Sequence, residues 1–164
     1  MLYLGEGKNN DNGCVLIEQY INMYPITISD VISAIEKGTL TSDEHVEICG
    51  IPRNYSLLVR KMVSLANSGG GVAVLGLALD KVHKTWVKRI TPINTRELKI
   101  RITEEIIGRV KNMGDWRIDS GDCRGSVVSA IFVAPSSKGM SYIYSSSDPL
   151  NRSYVYRKHS VNPV

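Results

Sequence analysis

The order of apolar runs predicts an α+β fold, with a mixed β-sheet and two principal helices. Three observations predict it. Residues 56–67 place Leu58, Met62 and Ala66 at i, i+4 and i+8, with Val59, Val63 and Leu65 widening the apolar stripe. Leu98, Ile102, Ile106 and Val110 recur every fourth residue in a second helical stretch. Around these helices lie six or seven short runs rich in β-branched and aromatic residues, and this mixture of elements without an internal repeat is that of a layered α+β domain.

Taken in order, residues 1–12 are rich in Gly, Asn and charge and have no period, so a loose tail is expected there. Residues 15–21 suit a short helix or a strand equally. Thr27 or Ser29 caps a short helix through Glu36, which Lys37-Gly38 ends. His45 to Gly50 alternates as a strand. The central helix 56–67 then runs into Gly69-Gly70-Gly71, where positive φ can end a helix, and residues 72–77 read as a strand covered on both faces. Lys84 to Ile90 is expected as a strand in which basic residues interleave with Trp86. Asn94-Thr-Arg-Glu97 has capping-box spacing, and the helix it opens is expected to end near Met113-Gly114. Residues 116–119, 126–133, 142–144 and 153–157 complete the strands, with Pro135 ending the second of these and residues 145–151 forming a turn.

A chain of 164 residues can bury one core and is too short for two ordinary domains. Its 43% hydrophobic and 22% charged residues are those of a soluble globular protein. No run approaches the roughly 20 apolar residues of a membrane span, and no basic segment with an apolar core opens the chain. A cytoplasmic setting is expected, with a nuclear one as the alternative. Cys14, Cys49 and Cys123 are far apart, as are His45, His83 and His159, so free thiols are expected and a structural zinc site is not.

The glycine run is not a phosphate loop, because such loops follow a strand and open a helix, presenting amides and the positive dipole end to the anion. Here the glycines follow the helix, and no Gly-Lys-Ser/Thr comes after them. Charge is more informative. Residues 1–50 carry two lysines against eight carboxylates, a net of −6, and the remainder carries +10. A basic majority suits a nucleic-acid surface, in which phosphate contacts dominate affinity. Two solvated faces would give the same balance.

Several features agree in order with a known family: Glu47 on a strand, a helix ending Ala66-Asn-Ser-Gly-Gly-Gly71, a strand ending at Gly76, Val133-Ala-Pro-Ser136 and a closing Tyr154-Val-Tyr-Arg-Lys-His-Ser160. Together they resemble the Schlafen-like, Alba-type nucleic-acid-binding domain over residues 27–164, leaving 1–26 as an N-terminal extension. The resemblance implies a mixed α/β fold that binds tRNA, other RNA or DNA. In some members it also implies RNA cleavage by carboxylates holding Mg²⁺ or Mn²⁺, a metal arrangement that orients water and offsets charge on the phosphate.

Carried over by motif, Glu47 takes the second acidic position. The first falls near Ser42, with Asp43 or Glu44 able to substitute, and the third falls after Gly76, where the chain reads Leu77-Ala-Leu-Asp80. The family's Phe-Lys after the second Glu is Ile48-Cys49 here. Asp43, Glu44, Glu47 and Asp80 are thus the candidate catalytic carboxylates, with Glu47 the metal ligand if there is one, and a degenerate remnant is the expected state. Arg60, Lys61, Lys84, Lys88, Arg89, Arg157 and Lys158 are the candidate phosphate contacts, with Trp86 available for stacking.

Three functions follow from the resemblance. The first is an RNA-binding subunit, non-catalytic or contributing half a site, of a composite endoribonuclease acting on small RNA such as Piwi-interacting RNA precursors. The second is a self-sufficient metal-dependent endoribonuclease, and the third a DNA-binding regulatory module. The first requires a second Schlafen-like chain, in a dimer or larger assembly. Tyr142, Tyr144, Tyr154 and Tyr156 offer aromatic surface to such a partner, with core packing as the alternative for half of them.

Overall fold

The computed structural model describes residues 25–136, 139–144 and 152–157. The expected N-terminal tail, residues 15–21, Cys14, Lys158 and His159 lie outside them. Among the described residues three helices, α1 (Ile28–Lys37), α2 (Tyr55–Asn67) and α3 (Thr95–Arg109), and nine strands make an α+β arrangement. Thr27 caps α1 in a full capping box with Asp30, and Gly38 ends it in the left-handed conformation at φ 66°.

The main sheet is built from β1 (Val46–Ile48), β2 (Gly71–Leu75), β6 (Trp116–Cys123) and β7 (Ser126–Val133) in the order β1-β2-β7-β6. β1 and β2 run parallel, and the other pairs run antiparallel. Every residue of β2 is buried, as a strand covered on both faces requires. Strand alternation divides the core in two. Ala73, Leu75, Ile131 and Val133 pack with Leu58, Met62, Leu98 and Ile102 of α2 and α3, while Val72, Val74, Ala130 and Phe132 pack with Val31 and Ile35 of α1.

Two smaller sheets complete the described strands. β3 (Leu77–Leu79) and β4 (Val87–Ile90) form a hairpin whose Leu77, Val87 and Ile90 join the α1 side of the core. β5 (Val110–Lys111), β8 (Tyr142–Tyr144) and β9 (Arg152–Tyr154) form a sheet in the order β5-β8-β9. Among the described residues no helix is long and apolar enough to cross a membrane.

Four expectations are corrected. The strand read as 72–77 breaks at Gly76, whose φ of 74° turns the chain from β2 into β3. The strand read from Lys84 starts at Val87, because Asp80 accepts from the Val82 and His83 amides and shapes a turn before it. The helix read through Met113 ends at Arg109. Val110 and Lys111 pair instead with β8, and Asn112 adopts φ 61°. The last strand ends at Tyr154 rather than Arg157.

The glycine turn works as expected at Gly69 and Gly70, whereas Gly71 has no positive φ and opens β2. Gly69 and Gly70 take φ of 93° and 90°, and the Gly70 amide donates to the Leu65 carbonyl at 2.9 Å. Asn67, just before the turn, is a four-bond hub. Its Nδ2 donates to the carbonyls of Ser141 and Val155, and its Oδ1 accepts from the Ser141 amide and the Ser136 hydroxyl. One side chain thereby ties the end of α2 to the segments flanking β7, β8 and β9.

Candidate nucleic-acid interface and the Glu47 ion-pair cluster

Glu47 sits in the middle of β1, an edge strand, and alternation turns it toward α2, away from Val46, which packs on the α1 side. Lys61, one and a half turns into α2, brings its Nζ to 3.0 Å from Glu47 Oε1. Arg157 approaches from the C-terminal segment and donates through Nη1 to Glu47 Oε2. Its Nη2 donates to the carbonyls of Asp43 at 2.6 Å and Val46 at 2.9 Å. The guanidinium therefore clamps a carboxylate and two backbone carbonyls at the start of β1, and only 13% of its side chain is exposed.

Burial pushes the Glu47 carboxyl up, but the hydrogen bonds from Arg157 and Lys61 outweigh it and hold the group below its ordinary range. Burial likewise favours neutral Lys61, and the bond to Glu47 reverses that, raising its pKa. Beside them the Cys49 thiol is pushed up to about 11, first by burial, and stays protonated at neutral pH.

The side chains of Asp43 and Asp80 accept backbone amides, although the Asp43 backbone carbonyl meets Arg157. Asp43 accepts the His45 amide at 2.8 Å in the turn before β1, and Glu44 follows it, half-buried. Asp80 ends the first strand of the hairpin on the α1 side, where the amides of His83 and Val82 hold its carboxyl below the usual range. Among the described residues no three His, Cys, Asp or Glu side chains converge as a set able to hold a metal ion. With both Glu47 oxygens facing cations and Asp80 engaged by backbone amides, this donor set does not fit a divalent cation.

The candidate cations divide into two groups. Lys61 and Arg157 are consumed by Glu47, while Arg60, its neighbour on α2, is exposed. Lys84, Lys88 and Arg89 are all exposed on the β3-β4 hairpin. The hairpin register jumps from Ala78 opposite Arg89 to Leu79 opposite Val87, leaving Lys88 as a bulge. This bulge explains why two successive residues both point outward between buried Val87 and Ile90.

Trp86 lies immediately before β4, 48% exposed, with its six-membered ring against Gly38. Arg124 stacks on it, its guanidinium 4.7 Å from the ring centroid. The same guanidinium donates to the carbonyls of Val87 at 2.6 Å and Ile35 at 3.3 Å. Arg124 thus belongs with the hairpin cations, yet nothing in its surroundings in sequence nominates it. It occupies the two-residue turn between β6 and β7, where Arg124 and Gly125 both take positive φ (55° and 76°), as a type I′ hairpin requires. Lys84, Lys88 and Arg89, exposed on the hairpin, and Arg124, stacked on the partly open indole, make up the candidate hairpin strip.

No protein-family model and no curated protein matches the sequence. Among solved structures, the fold is similar to the N-terminal domain of a RecG-related protein from Nitrosomonas europaea that is provisionally named an ATP-dependent DNA helicase. The TM-score is 0.56 at 11% identity, over 82% of this chain and 92% of that one. The DIP2311 protein from Corynebacterium diphtheriae is a weaker likeness, with a TM-score of 0.47 at 18% identity over 88% of this chain and 26% of its own. At these identities the likeness is one of fold.

Proposed function

We propose that this chain is a nucleic-acid-binding module with RNA as its principal ligand, and that it works as a Schlafen-like subunit beside a second chain of that type. The observation that carries the reading is the hairpin strip, in which Lys84, Lys88 and Arg89 are all exposed on the hairpin that Trp86 leads into and Arg124 stacks on that indole. Exposed cations suit phosphates, and the partly open indole suits a base or sugar. The fold likeness to a domain of a RecG-related protein is consistent with this class of ligand.

Catalysis by this chain alone is not part of the proposal. With Glu47 neutralised by Lys61 and Arg157, the carboxylates of a composite endoribonuclease would come from the partner chain. The test is binding of the purified chain to small RNA across a salt series, alone and with a candidate partner. Salt-sensitive binding without cleavage supports the reading, and cleavage by the unaccompanied chain with Mn²⁺, lost on Glu47→Gln, would replace it with a self-sufficient nuclease.

A further inference from the structure

The β5-β8-β9 sheet carries a second surface, separate from the hairpin strip. Its register pairs Lys111 with Tyr142 and Tyr142 with Tyr154, which puts these three side chains in one cross-strand row. Tyr144 pairs with Arg152 in the next row on the same face, since residues two apart along a strand share a face. Val110 and Ile143, in the alternate row, turn inward and are buried against α2 and α3. The outer face therefore holds three tyrosines and two cations. The tyrosines are not core residues: Tyr142 and Tyr144 are half-buried and Tyr154 is 45% exposed.

The side chains on this face are already in contact. The Tyr142 and Tyr154 ring centroids lie 5.4 Å apart at a tilt of 50°. Arg152 sits over Tyr142 at 4.7 Å, and Lys111 over Tyr144 at 5.6 Å. Among the described residues of the three strands there is no carboxylate. Each cation rests on a ring, and a surface that alternates rings with cations complements a chain of alternating bases and phosphates. The spacing of residues two apart along β8, roughly 7 Å, suits successive unstacked nucleotides rather than a duplex, whose bases are hidden.

We infer that the Tyr142, Tyr144, Tyr154, Lys111 and Arg152 face is a base-stacking platform for single-stranded nucleic acid, with the exposed Tyr154 ring as its principal stacking surface and Arg152 and Lys111 meeting the flanking phosphates. This rests on the nucleic-acid reading above but assigns a different surface and a single-stranded ligand. The hairpin strip, having cations and one partly covered ring, takes phosphate without regard to strandedness.

The experiment titrates the purified full chain with a fluorescein-labelled twelve-nucleotide single strand and with a blunt twelve-base-pair RNA duplex. Tyr154→Ala combined with Tyr142→Leu should weaken single-strand binding about five-fold or more, the range expected for loss of a base–aromatic stack, while duplex affinity stays within about two-fold. The Tyr142→Phe, Tyr154→Phe variant keeps the rings and should bind as the parent does. As a measurement independent of variant folding, photocrosslinking of the parent to a 4-thiouridine single strand should label peptides containing Tyr142 or Tyr154. Unchanged single-strand affinity, equal loss on both ligands, loss in the Phe variant, or crosslinks confined to the hairpin would each overturn the platform. So would loss of binding to a second protein chain with oligonucleotide affinity intact, which would mark the face as a protein interface. If the parent binds neither ligand, the broader nucleic-acid reading fails with it. If the parent binds both and only the platform variants are silent, the platform alone fails.

Discussion

Two regions of this molecule hold the same kinds of side chain and use them differently. At the start of β1, Lys61 and Arg157 converge on Glu47 and spend their charge inside the protein. On the β3-β4 hairpin, Lys84, Lys88 and Arg89 face solvent, and the nearby acid, Asp80, has its carboxyl occupied by the backbone of the turn. The difference does not lie in the cations. It lies in whether a strand offers them a half-buried carboxylate, because removing a carboxylate from water makes pairing with a cation compulsory. A basic residue's role is thus decided by the acid that folding places beside it, and a count of charges along the chain cannot see that.

The largest expected effect removes the joint between the hairpin and the main sheet to which β1 belongs. Gly76 turns β2 of the sheet into β3 of the hairpin at φ 74°, and a Cβ there would run into the Thr91 carbonyl. Gly76→Ala should cost about 3 kcal/mol or more in urea unfolding, because strain and collision act together. Next comes Asn67→Leu, which strands four hydrogen-bond partners at the end of α2. A loss of roughly 2–4 kcal/mol is expected, with hydrogen exchange accelerating in β8 and β9 before the main sheet.

A smaller effect sharpens the comparison on the clamp side. Arg157→Ala should cost about 1–3 kcal/mol, the range for a charged hydrogen bond lost from a half-buried acid that keeps one partner. The pH dependence has a definite sign. Glu47 is held below its ordinary value of 4.5, so the unfolded chain takes up this proton at a higher pH than the native one. Its contribution is fully present above that ordinary value and fades as pH falls through the depressed native pKa. Glu47→Gln should flatten this acid limb of the stability curve, and an unchanged limb would mean that the clamp does not contribute. The smallest effect on stability belongs to the hairpin, where replacing Lys84, Lys88 and Arg89 with alanine should stay within about 0.5 kcal/mol for each exposed side chain.

Much of the fold was legible because its signals are local. Thr27 with Asp30, Asn94 accepting the Glu97 amide as a simple cap, and the glycines at 69 and 70 mark element ends through a few neighbouring residues. The end of α3 was not legible, since Val110 continues the helical period yet is taken by a strand partner more than thirty residues later. The site was harder still. Glu47 and Arg157 are 110 residues apart, and no spacing rule joins them. Arg124 reaches Trp86 from a hairpin turn whose Arg-Gly pair is not the usual signal for that geometry. The bulge at Lys88 likewise depends on register, which a single strand does not disclose.

The most direct test of the division between spent and available cations is the slope of log affinity for single-stranded RNA against log salt concentration, measured for the parent and two variants. Alanine at Lys84, Lys88 and Arg89 should lower the slope's magnitude by about 2, since each single-strand phosphate contact contributes roughly 0.7. Lys61→Gln, which touches only the Glu47 cluster, should leave the slope unchanged. A slope that falls with Lys61→Gln and holds in the hairpin variant would contradict the account.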